Sequence, residues 1–126
     1  MSGKAKNHPL IEANAELQSE FNRIRHRYWI SKGKDIPELG EVTVSYCSIL
    51  DGAYGYLHRI RGQREFSLVV CYSLRYDPDE LRRTLLHEMA HLYVRKNSDK
   101  GNGGHGLKWR REIARLVTLG AYGDTI

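Results

Sequence analysis

His87 and His91 stand four residues apart in a segment of helical periodicity, and this spacing constrains the chain more than any other feature. On an α-helix, residues i and i+4 lie on the same face, so both imidazoles can point at one metal ion if the segment is helical. Glu88 follows the first histidine and can reach a water molecule bound to that ion. Catalytic zinc sites bind imidazole nitrogens at roughly 2.0–2.1 Å and keep one position for water. The H-E-x-x-H sequence therefore predicts metal-dependent hydrolysis and is typical of metallopeptidases.

The helix that carries this motif has recognisable ends. Asp77 is a favourable N-cap, Pro78 suits the first helical position, and Glu80 occupies the position of a capping-box acid. The helix is predicted to end near Asn97. Its apolar residues recur at helical spacing at Leu81, Leu85, Met89 and Leu92. Because the motif lies at the edge of this apolar stripe, we expect the site to border the core.

The remaining pattern predicts an α+β fold. Apolar residues at helical spacing predict helices over 9–30 and 105–119, and alternating or β-branched runs predict strands over 41–49, 56–61 and 66–74. The strand connections are too short for crossovers, so we expect a small antiparallel three-stranded sheet, packed with an N-terminal helix, the H-E-x-x-H helix and a C-terminal helix. Residues 1–8 are predicted to be a flexible tail, and residues 9–126 to form a single domain.

A third metal ligand must come from outside the motif. Metzincins place a histidine six residues after the second one, but Asn97 stands there, which excludes that class. Glu112 could act as a carboxylate ligand from a later helix, or as the partner of a ligand. His105 is the better candidate for the third ligand, because the glycines around it allow the backbone to bring an imidazole to the metal.

Charge and cysteine content restrict the compartment and the partners. The 20 Lys and Arg residues exceed the 15 Asp and Glu residues, giving a formal net charge of +5 that suits an anionic partner but also an ordinary basic protein. The N-terminus lacks the apolar region of a secretory signal, and no run is long enough to span a membrane. The cysteines, Cys47 and Cys71, form no C-x-x-C motif and fit small buried side chains in a reducing compartment, with a disulfide between them as the less favoured alternative. We therefore expect an intracellular protein that is not secreted and has no membrane partner.

Two basic clusters are candidates for nucleic-acid binding. In both, basic residues lie beside aromatic or imidazole side chains, an arrangement that suits single strands through stacking and phosphate contacts. A solvated helix face and a charged strand edge that resists aggregation are the alternatives. The candidate residues are Arg23, Arg25, Arg27, Trp29, Lys32 and Lys34 in the first cluster and Arg59, Arg61 and Arg64 in the second.

The metal motif and the segment after it resemble the SprT-like family of zinc metallopeptidases. Residues 85–91 carry the H-E-x-x-H sequence, and Gly104-His105-Gly106-Leu107-Lys108-Trp109 has the family pattern G-H-G-x-x-aromatic. The resemblance runs from about Leu17 to Leu119. It implies a zincin-like minimal metalloprotease domain, with one zinc ion bound by His87, His91 and His105 and with Glu88 as the catalytic general base. It also implies cleavage of DNA-associated or DNA-crosslinked proteins, that is, a role in DNA–protein crosslink repair.

Three functional hypotheses remain open. The leading one is a monomeric zinc endopeptidase that acts on DNA-associated protein and prefers single-stranded DNA. The second is a zinc peptidase without a nucleic-acid role, and the third is a zinc-stabilised binding module without catalysis. Glu88 argues against the third, because a purely structural metal site needs no base. An exposed edge strand, expected in residues 66–74, would pair with an extended substrate, and Tyr54, Tyr56 and Tyr93 are candidate oxyanion donors by residue type.

Overall fold

The computed structural model describes residues 9–48, 53–60, 65–97 and 105–123. Within these ranges the chain forms three α-helices and a three-stranded sheet, which confirms the predicted α+β class. The predicted tail over residues 1–8 lies outside the described residues. Short 3₁₀ turns follow the first helix and the third strand. The elements in chain order are α1 (Pro9–Tyr28), β1 (Val42–Cys47), β2 (Gly55–Arg59), β3 (Phe66–Cys71), α2 (Pro78–Lys96) and α3 (Leu107–Thr118).

The sheet has the order β1-β3-β2 and is mixed. β2 and β3 form an antiparallel hairpin, but β1 pairs with β3 in parallel, from Val42 opposite Phe66 to Cys47 opposite Cys71. The prediction of an entirely antiparallel sheet is therefore wrong. β3 lies between β1 and β2. The chain reverses direction once after β1 and again after β2, so β1 and β3 run parallel without a helical crossover between them. The expected edge strand in residues 66–74 is also wrong, because β3 is central and the edges are β1 and β2.

Helix α1 covers one face of the sheet and closes its β1 edge. Its apolar stripe packs into the core, where Leu17 and Phe21 are buried; a fully buried side chain of this size contributes roughly 1.5–3 kcal/mol relative to an exposed one. The polar residues beside the stripe bond the outer edge of β1. Asn14 Oδ1 accepts a hydrogen bond from the Tyr46 N–H at 2.8 Å, and Gln18 Nε2 donates to the Val44 carbonyl at 3.1 Å.

Helix α2 begins and ends where the sequence predicts. Asp77 Oδ1 accepts a hydrogen bond from the Glu80 N–H at 3.2 Å, which confirms the N-cap, and the helix ends at Lys96. Its fully buried residues fix the helix against the sheet: Leu85, Leu86, Met89, Ala90 and Leu92. Helix α3 starts at Leu107, two residues later than predicted, and Gly120 follows it with a φ of 80°, as expected for a glycine at a helix C-terminus. Among the described helices, none is long and apolar enough to cross a bilayer.

Candidate metal centre

Helix α2 places the H-E-x-x-H residues at the border between core and solvent. Glu88 and His91 each retain only 8% of their accessible surface, and His87 is half-buried. The neighbouring residues Met89 and Ala90 are fully buried. Because these neighbours pack in the core, they fix the orientation of α2. The two imidazoles and the carboxylate are therefore positioned by the centre of a helix rather than by a loop.

His105 joins the two helical histidines from the segment just before α3. The three ring centroids lie 5.0 Å from one another, and one nitrogen from each ring falls within 4.8 Å of the others. The Nε2 atoms of His87 and His105 are 3.2 Å apart. Two nitrogens bound to one tetrahedral zinc ion at roughly 2.0–2.1 Å would be about 3.3 Å apart. The donor set therefore fits a metal ion held by three imidazoles.

Trp109, in the first turn of α3, holds this cluster together. Its Nε1 donates a hydrogen bond to the His87 carbonyl at 3.3 Å. Its ring stacks on His91 at a centroid distance of 5.2 Å and lies 4.3 Å from the ring of His105. Arg110 Nε donates to the His105 carbonyl at 3.1 Å. In the sequence Trp109 stands out only as the aromatic residue of the family pattern, and its supporting role was not predicted.

Burial keeps the helical imidazoles neutral. It is the largest cause lowering the pKa of His91, and together with the nearby His87, His105 and Arg95 it brings that pKa to about 4. Burial also lowers the pKa of His87, with His105 adding to the effect. A neutral imidazole has the lone pair that a metal requires. These two ligand candidates are thus ready for metal binding at neutral pH without losing a proton.

The pKa of Glu88 is raised, in contrast to the lowered pKa values of the two histidines. Burial raises the pKa of its carboxyl to about 7, although the positive charge of Arg95 opposes the shift. Strand β2 buries Glu88, because it packs very closely on α2. A Cβ atom added at Gly55 would lie 3.2 Å from Glu88 Cγ and 2.7 Å from Thr84 Cγ2. Gly55 is the first residue of β2, one residue before the predicted start of that strand. Only glycine lets the backbone of β2 approach α2 so closely, and this approach removes Glu88 from water.

A cleft of about 420 Å³ opens beside the metal-binding residues, between the start of β2 and the first half of α2. Tyr122, which follows α3, lines it together with His87 and Glu88. Burial raises the pKa of Tyr122 to about 12, so its hydroxyl keeps its proton at neutral pH and can donate. Among the tyrosines proposed as oxyanion donors, Tyr54 also lines the cleft. Sequence analysis missed Tyr122, since no spacing links it to the metal motif.

The other two candidate tyrosines have different surroundings. Tyr56 lies on the sheet face opposite the helices and packs against His58 at a centroid distance of 5.2 Å. Tyr93 carries Lys34 over its ring, with the ammonium 5.3 Å from the centroid. Neither residue lines the cleft.

Glu112 does not join the histidine cluster. Its buried carboxylate accepts a hydrogen bond from Trp29 Nε1 at 2.6 Å and forms an ion pair with Arg115, also at 2.6 Å. Arg115 donates in turn to the Tyr28 carbonyl at 2.8 Å. This network joins α1 to α3, so the structure places Glu112 in neither of the two roles considered for it. Trp29 has no exposed surface, which contradicts its assignment to a nucleic-acid-binding surface, because a buried ring cannot stack on a base.

The basic residues after Glu20 differ in exposure and in their contacts. Arg25 is half-buried, and its Nε donates to the Ile36 carbonyl at 3.1 Å. Arg23 is exposed and forms an ion pair with Glu20, and Arg27 and Lys32 are also exposed. Any contact of this cluster with an anionic partner therefore falls mainly to these three exposed residues.

The second basic cluster is described only in part. The Arg59 guanidinium lies over the Phe66 ring, 4.5 Å from its centroid, at the end of the β2–β3 hairpin. Arg61 and Arg64 lie outside the described residues. The structure thus places Arg59 at the edge of the sheet but does not test a joint surface formed by all three arginines.

One of three comparisons with known proteins finds a match. The family model described as the SprT-like family matches residues 13–122. This span contains all the described helices and strands except the first residues of α1. No curated protein and no solved structure matches the chain significantly.

Proposed function

The chain belongs to the SprT-like family, and from this membership and its metal centre we propose that it is a zinc-dependent endopeptidase. One observation carries the proposal: three imidazoles from α2 and the start of α3 converge within 4.8 Å, directly beside a buried glutamate. A purely structural zinc site has no need of this glutamate, whereas hydrolysis needs a group that accepts and returns a proton.

The chemistry follows from the groups around the cleft. Zinc held by His87, His91 and His105 would supply a Lewis acid that activates water and polarises the scissile carbonyl. Glu88 accepts the proton of the attacking water at its carboxylate and passes it to the leaving amine. In the metal-free site burial raises the pKa of this carboxyl to about 7, which makes it a stronger base than an ordinary glutamate, and the charge of a bound zinc ion would oppose that shift.

The free edge of β2 is the proposed substrate platform. The Cys71 N–H donates to the Tyr54 carbonyl and the Ile60 N–H to the Glu65 carbonyl. In an antiparallel ladder this pattern turns the backbone groups of Gly55 and Leu57 away from β3. Arg95 Nη1 on α2 donates to the Leu57 carbonyl at 3.3 Å, so this edge faces the helix that carries the site.

An extended peptide that pairs with this edge would lie beside Glu88. The pairing uses main-chain hydrogen bonds and therefore gives little sequence selectivity. The β1 edge is less suited to the same role, because Asn14 and Gln18 bond two of its backbone groups, whereas on the β2 edge the bonded group is the Leu57 carbonyl, held by Arg95. The proposed substrates are accordingly proteins with extended or unfolded segments.

The test is cleavage of an unfolded protein by the zinc-loaded chain and by Glu88→Gln. We expect the variant to bind zinc normally and to lose at least about 100-fold in rate, the range for removal of a general base. The matched control is Glu12→Gln, which removes an exposed carboxylate in the first turn of α1 and should cleave as wild type does. Equal cleavage by wild type and Glu88→Gln would rule out the proposed mechanism.

We further propose that the substrates are DNA-associated proteins, including proteins crosslinked to DNA, and that the chain acts inside the cell as a monomer. The formal net charge of +5 and the exposed Arg27 and Lys32 support contact with single-stranded DNA through its phosphates. The test is cleavage of a basic DNA-binding protein with and without single-stranded DNA. We expect DNA to increase the rate, and to do so less at high salt or with Arg27→Glu/Lys32→Glu. Equal cleavage rates with and without DNA would support the alternative, a zinc peptidase without a nucleic-acid role.

A further inference from the structure

Cys47 and Cys71 lie directly opposite each other in the parallel pairing of β1 and β3. Each is the last residue of its strand, both are half-buried, and both carry thiols. Val44 and Val70, buried in the core, mark the inner face of the sheet. By alternation along each strand, both cysteines fall on the opposite face.

The strand geometry brings the two cysteines within reach of one another. Neighbouring strands lie about 4.8 Å apart, and disulfides join residues whose Cα atoms are about 4.4–6.8 Å apart. The Cβ atoms of a disulfide must approach to roughly 3.5–4.5 Å, closer than the strand spacing, so a small lateral shift is needed. A shift of this kind is easiest at the ends of strands, which is where both residues stand. We propose that Cys47 and Cys71 form an oxidation site that closes reversibly to a disulfide.

An oxidant has access to this pair. Cys47 lines an open groove of about 680 Å³ on the outer side of the sheet, together with Val69 and Tyr72. Because the groove is open to solvent, a low-molecular-weight disulfide such as oxidised glutathione can bring one of its sulfurs to Cys47. Cys71 has its Sγ 3.2 Å from the Ser73 Oγ, a weak contact with a neutral hydroxyl that leaves the thiol able to react.

The reaction is a thiol–disulfide exchange with a low-molecular-weight disulfide as the oxidant. The Cys47 thiolate attacks one sulfur of oxidised glutathione and forms a mixed disulfide, releasing one glutathione thiolate. The Cys71 thiolate then attacks the Cys47 sulfur, forms the intramolecular bond and releases the second glutathione. Two electrons pass from the cysteines to the oxidant, and the two cysteine protons end on the released glutathione molecules. Because closure needs a strand shift, the disulfide should be easily reduced again.

The Cys47–Cys71 disulfide would change the wall of the cleft beside Glu88. The Cys71 N–H donates to the Tyr54 carbonyl at 2.8 Å, on the β2 side of the central strand. Closure draws Cys71 the other way, toward β1, and so weakens this hydrogen bond. Tyr54 and Gly55 line the cleft beside Glu88. This inference goes beyond the proposed peptidase function and does not depend on it.

The experiment is oxidation of the reduced full-length chain with excess oxidised glutathione, followed by mass spectrometry and thiol titration under denaturing conditions. We expect wild type to lose both thiols and two hydrogens without a retained adduct, and to recover them with dithiothreitol. The matched variants Cys47→Ser and Cys71→Ser lack the second thiol, so each should retain one glutathione. Unmodified thiols, stable adducts or intermolecular disulfides in wild type would overturn the assignment.

Hydrogen exchange tests the effect on the cleft separately. The Cys71 amide should exchange faster in oxidised than in reduced wild type, because its bond to Tyr54 is weakened. Cys47→Ser treated in the same way should show no such change. If the disulfide forms and this amide exchanges at an unchanged rate, the link between the thiol pair and the cleft is wrong.

Discussion

At the scale of single residues, the burial of Glu88 predicts how the stability of the metal-free protein depends on pH. Burial raises the pKa of this carboxyl from 4.5 to about 7. Between those values the folded protein holds a proton that the unfolded chain has released. The free energy of unfolding therefore falls as the pH rises, by at most about 1.4 kcal/mol per pH unit. Glu88→Gln does not titrate, so its stability relative to wild type should increase from about pH 5 to pH 7.5, by up to about 3 kcal/mol.

Urea unfolding in the presence of a chelator, at several pH values, measures this difference. The histidines are common to both proteins, so their titration largely cancels. Glu12→Gln is the control, since it removes an exposed carboxyl on α1 that does not line the cleft. A constant difference between wild type and Glu88→Gln across this pH range would contradict the burial described for Glu88.

Tyr122 is the other residue for which the structure predicts a chemical effect. Its half-buried ring lines the cleft with His87 and Glu88, and its hydroxyl stays protonated at neutral pH. A donor in this place can stabilise negative charge on the substrate carbonyl, so Tyr122→Phe should lower kcat on the order of 10- to 100-fold with zinc affinity unchanged. Tyr54→Phe, on the exposed wall of the same cleft, is the comparison. Equal kcat values for Tyr122→Phe and wild type would show that the Tyr122 hydroxyl takes no part in catalysis.

At the scale of secondary-structure elements, the contact between β2 and α2 makes a quantitative prediction. In Gly55→Ala the new methyl group would lie 2.7 Å from Thr84 Cγ2, an overlap expected to destabilise the fold by roughly 1–3 kcal/mol. Thr84→Ser removes that methyl and should restore part of the loss in the double variant. Chemical denaturation of the four proteins gives the coupling free energy between the two sites. Additive effects would mean that the two elements are not in contact as described.

The same elements show what sequence can and cannot predict. Helix α2 was predicted to within a residue because Asp77, Pro78 and the apolar stripe are local signals. The order of the strands was not, since β1 pairs with β3 rather than with β2, the next strand in sequence. Trp29 looked suited to nucleic-acid stacking for the same reason: its neighbours in sequence are basic, whereas its partner in space is Glu112 from α3.

The grouping of the three histidines was predicted from the sequence, but the contacts that support them were not. The spacing of His87 and His91 and the glycines around His105 pointed to three ligands without any tertiary information. The contacts that hold these residues were not predicted. Trp109 supports the rings only after α3 docks on α2, and the effect of Gly55 on Glu88 arises only once β2 lies across that helix.

At the scale of the whole molecule, a bound metal ion would join α2 to the start of α3. Zinc that binds only the folded state should stabilise it by about 2.7 kcal/mol at a zinc concentration 100 times the Kd. Calorimetry with and without a chelator should therefore show a higher Tm with zinc. His105→Ala should lose most of this difference, while Glu88→Gln should keep it. If the Tm difference between the zinc-loaded and chelated protein persists in His105→Ala, the third ligand is another residue.

The closure of the β1 edge by Asn14 and Gln18 has a consequence for polymerisation. A sheet with two available edges can add strands on both sides, and identical molecules can then grow into filaments without limit. Of the two edges of the described sheet, only β2 is proposed to accept a new strand, so two molecules that pair through it occupy that edge of each other and growth stops at a dimer. The proposed binding of extended polypeptides can thus use an exposed edge strand without starting fibrils of the chain itself.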